Sequence, residues 1–278
     1  MVLAAILKEA DMGVRYVKKD HIAYVTINRP EAHNAIDPET AVQLLNAWKD
    51  YRDDKECRCA IITGAGDRSF CSGMDLGKMI PLSTGARAPE NDFDRAVLQN
   101  PQLPDEAILR DFELYKPVIA AINGFAVAAG MELVQGTDIR IASMTARFGL
   151  PEVKRAITPK GGSTVRLPRQ IPYCKTMEIL LTGELFTAQQ ALEMGFINKV
   201  VPAEEVMTEA EAIAKCILEN GPLAVMAVKE SVIKTSGLTI KEGMELETKL
   251  AAPVYASRDA KEGPRAFMEK RKPKYTGE

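Results

Sequence analysis

The stretch Pro117 to Glu132, PVIAAINGFAVAAGME, decides how the rest of the chain is read. Pro117 to Ile122 is too short and too rich in β-branched residues for a helix, so it reads as a buried strand. Gly124 permits a tight turn. Ala126, Ala128, Ala129 and Gly130 carry so little side chain that another molecule could approach their main chain closely. A helix starting near Ala129 would present N–H groups that lack intrahelical partners, with the helix dipole favouring negative charge there. The stretch is therefore a candidate anion or oxyanion site, with one carboxylate, Glu132, set among apolar neighbours. The same small residues also suit a helix packed tightly on a sheet, and this stretch alone leaves both readings open.

Upstream, Val14 to Ile27 alternates around Asp20-His21 as a hairpin does, with Tyr16, Ile22, Tyr24 and Val25 expected in the core. Asp37-Pro38 is a helix start, an N-cap followed by proline at the first helical position, and Ala41, Leu44, Leu45 and Trp48 share one apolar face. Cys59 to Thr63 is a short buried strand. Met79 to Pro104, with four prolines and weak periodicity, reads as a long loop with one helical turn at most, and a helical pattern resumes over Glu106 to Leu114. Downstream, Thr137 to Ser143 is a strand and Phe148 to Glu152 a loop. Gly161-Gly162-Ser163 precedes a helix, Thr187 and Gln190 form a capping box, and Val200-Val201-Pro202 closes a last strand. Beyond Ala203 only helices are predicted: one carrying Val206, Ala210, Ile213, Ala214 and Ile217, then Leu223 to Lys234 and Ile240 to Tyr255. The reading is an α/β core over residues 1–203 and a helical region over 204–278, with no fixed-period internal repeat.

The chain has 278 residues, 46% of them hydrophobic, enough for a sizeable core. A net charge of −2 gives no electrostatic case for nucleic acid or a membrane surface. Only Lys270 to Lys274 is locally basic, as a solvated end or a contact for phosphate on a ligand or a neighbouring subunit. Five scattered cysteines without C-x-x-C spacing indicate a reducing compartment. The apolar run Met1 to Leu7 is shorter than a signal-peptide core and lacks a basic start, so a cytoplasmic protein is expected.

Several chemistries are marked down by what the chain lacks. Its two histidines, His21 and His33, sit beside no obvious nucleophile, and there is no G-x-S-x-G elbow, H-E-x-x-H or phosphate-loop motif. What remains is Glu132 and, twenty residues on, Glu152, with a strand predicted between them. If the strand returned alongside its neighbour, the two carboxylates could share one cavity, where one would stay protonated and the other charged. Each glutamate alone could equally be a buried structural carboxylate paired elsewhere.

Three blocks in this order, Ile61 to Leu76, Pro117 to Glu132 and Phe148 to Glu152, resemble the crotonase, or enoyl-CoA hydratase/isomerase, family, and the likeness runs from Asn28-Arg29-Pro30 to Val200-Val201-Pro202. The resemblance implies a spiral of ββα units, C-terminal helices that trimerise into a homotrimer or a dimer of trimers, and acyl-CoA thioester substrates handled without a metal or other cofactor. Carried over by position, the oxyanion donors are the N–H groups of Met74 and Ala129. Glu132 is the base on the attacking water, and Glu152 delivers a proton to the α carbon. Ala32 and His33 resemble the segment along the pantetheine, and Ser72, Gly73, Asp75, Leu76 and Gly77 the adenine-contacting loop. Glutamates at both positions favour a 2-enoyl-CoA hydratase over an isomerase, another CoA-ester lyase or hydrolase, or a non-catalytic acyl-CoA-binding homologue. Three departures bear on substrate: Met74 is bulkier than the family's usual residue, Ala128-Ala129 stands where Gly-Gly is frequent, and the 79–104 segment is long enough to line or cover an acyl pocket.

Overall fold

The computed structural model describes residues 13–278, so the apolar run Met1 to Leu7 lies outside the described residues. Strands β1 (Gly13–Lys19) and β2 (Ile22–Asn28) form the expected hairpin, with Asp20 and His21 both at positive φ in the turn. Ile22 and Val25 are buried as expected. Tyr16 and Tyr24 are only half-buried, because their hydroxyls reach out to the carboxylates of Asp50 and Glu211. Helix α1 (Pro38–Asp53) starts at Asp37, whose side chain accepts from the Thr40 N–H, and its Ala41, Leu44, Leu45 and Trp48 are all buried. Trp48 and Tyr51 then tie the helix to the carbonyls of Ala107 and Pro117, so each large ring is buried without an orphaned donor.

From here the chain repeats one manoeuvre. A first strand enters the large sheet, a second enters a small one, and helical chain follows: β3 (Cys59–Gly64) and β4 (Ser69–Cys71) lead to α2 (Met79–Ser83), α3 (Asp92–Gln99) and α4 (Leu103–Ala107). The next turn is β5 (Val118–Ile122), β6 (Phe125–Val127) and α5 (Ala129–Gln135), and a third runs β7 (Ile139–Ser143), β8 (Arg147–Gly149) and α6 (Ser163–Gln170). Then come α7 (Tyr173–Thr182), the short β9 (Phe186–Thr187), α8 (Ala188–Glu193) on its Thr187–Gln190 capping box, and β10 (Lys199–Val201). The large sheet is ordered β1-β2-β3-β5-β7-β10 and the small one β4-β6-β8-β9, with β3, β5 and β7 mutually parallel. This is the crotonase-type α/β spiral of ββα units. Both faces of the central strands are covered: Ile61, Ile119 and Ile141 meet Val206, Ala210 and Ala214 of α9 (Val206–Leu218), while Ile62, Ala120 and Ile122 face the main core. That double burial is why these strands read as unbroken apolar runs rather than alternating ones.

Four local expectations change. The 79–104 segment is not an open loop but carries α2, α3 and the start of α4; Asn91 caps α3, and Arg87 forks onto Asp94 at 2.6 and 3.0 Å, holding the segment together. The helix expected over 106–114 stops at Ala107, since Leu109 and Asp111 adopt left-handed backbone. Phe148 belongs to a strand, paired with Ala126. Beyond α10 (Pro222–Thr235) and α11 (Ile240–Ala256) there is a further helix, α12 (Asp259–Met268), which contains Gly263 and Pro264 and is hidden in the sequence by its own breakers. The basic tail turns back on that helix: Glu262 pairs with Arg271 and accepts from the Lys274 N–H.

Candidate active site

The turn between β5 and β6 is held from across the chain. Asn123 Nδ2 donates to the carbonyls of Gly64 and Gly66, and its Oδ1 accepts from the Gly64 N–H. Gly124 is needed for close approach rather than for an unusual φ, because a Cβ there would lie 2.2 Å from the Arg68 carbonyl oxygen. The same logic governs Gly130, where a Cβ would lie 2.1 Å from the Cys71 carbonyl oxygen. These glycines press the 69–74 segment directly onto the start of α5.

The Gly73–Met74 segment and the start of α5 lie side by side as a result. Gly73, at φ +104, has its Cα turned so that a Cβ would sit 3.3 Å from the Ala129 nitrogen. Ile36 bridges in parallel across Met74, donating to the Gly73 carbonyl and accepting from the Asp75 N–H. A parallel bridge uses the groups on either side of the opposed residue, so the Met74 N–H points away from Ile36. At Ala129 the N–H is the first of α5 and has no intrahelical acceptor. Neither N–H finds an acceptor among the described residues. Ala128 sets this geometry at a cost, with φ 52 and ψ −128, a conformation that suits glycine. Ala128→Gly is expected to raise stability by about 0.5–2 kcal/mol, the relieved strain less the extra chain entropy of glycine. Thermal unfolding checks it, and a lower Tm for the variant would count against strain at this residue.

Parallel pairing of β6 and β8, Ala126 with Phe148 and Val127 with Gly149, brings the segment after each strand to the same end of the small sheet. Glu132, one turn into α5, and Glu152, in the 3-10 turn Pro151–Arg155 after β8, are both buried there. Oε1 of Glu132 accepts from the Ser163 N–H at 3.3 Å, so this carboxylate sits on the N-terminus of α6, where the dipole favours a negative charge. Burial nevertheless raises its pKa above the ordinary carboxylate value, the Ser163 and Gly161 N–H groups opposing the rise. At Glu152 burial and then the charge of Glu132 push the pKa up to about 7, and its Oε2 has no hydrogen-bond partner among the described residues. One carboxylate is thus better solvated by fixed N–H groups and the other is left to hold a proton, the asymmetry that acid–base chemistry needs.

The two segments expected to bind the rest of a ligand also lie side by side. Ser72 donates through its N–H to the His33 carbonyl, and Oγ of Ser69 lies 3.3 Å from Nδ1 of the exposed His33; Ala32 is half-buried beside it. Asn34 is buried and clamps the backbone of Arg29, Ala65 and Ser69. The carboxylate of Asp75, within the loop expected to contact the ligand, is turned inward: one oxygen accepts from Arg29 at 3.1 Å and the other from the N–H groups of Gly77 and Lys78. With Asp37, which also holds Arg29 and Lys78, it fastens the loop rather than presenting charge outward. Leu76 and Gly77 are exposed at the loop's exit. The part of the site that sequence reasoning missed is the Gly161–Ser163 cradle of Glu132; the Gly-Gly-Ser run was legible as a helix start, but not as one aimed at a carboxylate.

The spiral fold and the buried carboxylates suit an enzyme of the crotonase class, and comparison with known proteins gives the same class. The chain belongs to the enoyl-CoA hydratase/isomerase family, whose model matches residues 17–278. It is 43% identical to enoyl-CoA hydratase EchA19 of Mycobacterium tuberculosis over 93% of this chain and 94% of that protein. To (E)-benzylidenesuccinyl-CoA hydratase of Thauera aromatica it is 38% identical over 96% and 100%, and to carnitinyl-CoA dehydratase of Proteus mirabilis 41% over 91% and 94%. Among solved structures, an enoyl-CoA hydratase from Mycobacterium tuberculosis superposes with a TM-score of 0.85 at 36% identity, covering 96% of this chain and 99% of that one.

Proposed function

We propose that this chain adds water across the 2,3 double bond of an enoyl-CoA thioester to form a 3-hydroxyacyl-CoA. The observation that carries the reading is two buried, unequal carboxylates, Glu132 and Glu152, on segments that the β6–β8 pairing brings to one end of the small sheet; the N–H groups of Met74 and Ala129, without acceptors among the described residues, support it. In this reading the thioester oxygen lies between the two N–H groups, which gain strength as it acquires enolate charge. Glu132 takes a proton from the water that attacks C3, and Glu152 gives its proton to C2. Water is consumed whole, so the addition is redox-neutral, and in this reading the only coenzyme is the CoA of the substrate. The loop and turn carrying Ala32, His33, Ser72, Gly73, Asp75, Leu76 and Gly77 would run along the CoA arm.

Relatives named for benzylidenesuccinyl-CoA and carnitinyl-CoA support an acyl group bulkier than a short linear chain. We further read α10 and α11 as the contact between copies of a homotrimer or a dimer of trimers. Neither helix has a buried residue, and Val228, Val232, Ile240 and Met244 are exposed. Five free cysteines fit a cytoplasmic setting, and no helix among the described residues is long and apolar enough to cross a membrane. A spectrophotometric hydration assay over linear, branched, aromatic and alicyclic enoyl-CoA esters tests the activity. Isomerisation or thioester hydrolysis without hydration of any ester would overturn it.

A further inference from the structure

Between α4 and β5 the chain makes a four-residue excursion, Ile108 to Asp111, in which two non-glycine residues are left-handed: Leu109 at φ 61 and Asp111 at φ 56. Such backbone persists only where its surroundings over-determine it, and it concentrates at functional sites. Here the grip comes from three sides. Arg166 of α6 donates through Nη2 to the Leu109 carbonyl. Arg110 reaches the Lys160 carbonyl at 2.7 Å and Asp105 at 2.8 Å. Gly136, at the end of α5, lets the segment seat against that helix, since a Cβ there would lie 2.9 Å from Cβ of Leu109 and 3.0 Å from Nη1 of Arg166.

This grip aims one side chain. A Cβ placed on Gly161 would lie 2.2 Å from Oε2 of Glu132 and 2.5 Å from Cδ1 of Ile108, so the methyl group and the carboxylate oxygen are direct neighbours across that glycine. Ile108 is fully buried. Oε1 of Glu132 has the Ser163 N–H, whereas Oε2 faces the Gly161 backbone and the Ile108 methyl on this side. We propose that the 108–111 segment is a strap that fixes the Glu132 carboxylate, and that Ile108 is a positioning residue which keeps water off its Oε2 side. The strap makes Glu132 hold one rotamer with one side of Oε2 shielded, so that its remaining lone pairs face the reacting water. The inference rests on the reading of Glu132 as the base, but its physical content is separable from that reading.

The groups facing Glu132 are Glu152 from the turn after β8, Asp105 from α4, Arg166 and the Ser163 N–H from α6, and the Gly161 backbone. None of them is altered by substitution at Ile108. The test is therefore Ile108→Thr, which removes Cδ1 and admits a polar atom, beside Ile108→Val, which removes Cδ1 alone, and Ile108→Met, which keeps the reach. Protein labelled with carboxyl-13C glutamate is titrated by NMR, the Glu132 signal being the one missing from Glu132→Gln. Ile108→Thr is expected to lower the Glu132 midpoint by about one pH unit as the carboxylate regains hydration, with Ile108→Val between it and the wild type and Ile108→Met unchanged. In hydration assays kcat falls about tenfold and its acid limb moves with the NMR midpoint, while KM stays within about twofold. A midpoint unmoved in both Ile108→Thr and Ile108→Val overturns the strap; should Ile108→Thr not fold, Ile108→Val alone decides. A midpoint that moves while the acid limb of kcat does not upholds the strap and removes Glu132 as the base.

Discussion

Replacing either Glu132 or Glu152 by glutamine is expected to lower hydration by about 10²–10⁴-fold while leaving CoA-ester binding intact. The substitution is isosteric, and in Glu132→Gln the amide oxygen could still accept from the Ser163 N–H, so each variant removes an ionisable group without emptying its site. The pH profile separates the two roles. Glu152 must be protonated to serve as the acid, and its pKa of about 7 means that this form is lost as pH rises through neutrality. Glu132 must be ionised to serve as the base, and burial has raised its pKa, so that form is lost on the acid side. A bell follows, with Glu132 on its acid limb and Glu152 on its alkaline limb, the rate falling about tenfold per unit well above pH 7. The residual activity of Glu152→Gln should lack the alkaline limb, and that of Glu132→Gln the acid one. Full turnover in either variant, measured at the pH optimum with a good substrate, would sink the assignment of that residue.

Gly130→Ala is expected to be the most damaging small change. Its Cβ would meet the carbonyl oxygen of Cys71 at 2.1 Å and the carbonyl carbon at 2.8 Å, and neither is the end of a flexible side chain that can swing away. Helix α5 and the 71–74 segment must therefore separate, and they carry the Ala129 and Met74 N–H groups. Overpacking of this kind costs about 1–3 kcal/mol of stability. Donors must lie about 2.7–3.1 Å from the oxyanion to stabilise it, so losing the alignment of one costs about 2.7–4 kcal/mol in the transition state, or roughly 10²–10³ in kcat. Denaturant unfolding and kcat measured together decide the matter; a Gly130→Ala protein with wild-type stability and turnover would show that the two segments need not touch.

Much of this molecule was legible before any coordinates. Val118 to Ile122 is a run of branched and small apolar residues bounded by Pro117 and Asn123, which only a strand covered on both faces accommodates. Asp37-Pro38 announced α1, Asp20-His21 the hairpin turn, and Thr187 with Gln190 a reciprocal cap, because each depends on bonds among neighbours within a few residues. Family likeness, carried by three blocks of residues, supplied the spiral that periodicity alone had not suggested. No fixed repeat is visible in the chain because the helical part of each turn differs in length, from the three short helices after β4 to the single α5 after β6.

What the sequence by itself determined about this protein is thus its set of local elements, the small-residue start of α5, and the identity of two carboxylates worth watching. Only the tertiary structure decided that the segments bearing them come to one end of the small sheet, where the charge of Glu132 is felt at Glu152. That arrangement depends on the register Ala126 to Phe148 between strands of different turns, and on an α6 N-terminus that arrives at Glu132 from 31 residues away. The inward turn of Asp75 onto Arg29, the left-handed strap at Leu109 and Asp111, and the Gly130 contact with Cys71 are likewise settled by distant partners. Periodicity and turn chemistry act within about one helical turn of chain, whereas desolvation, charge coupling and the approach of one backbone to another depend on which segments the fold lays side by side.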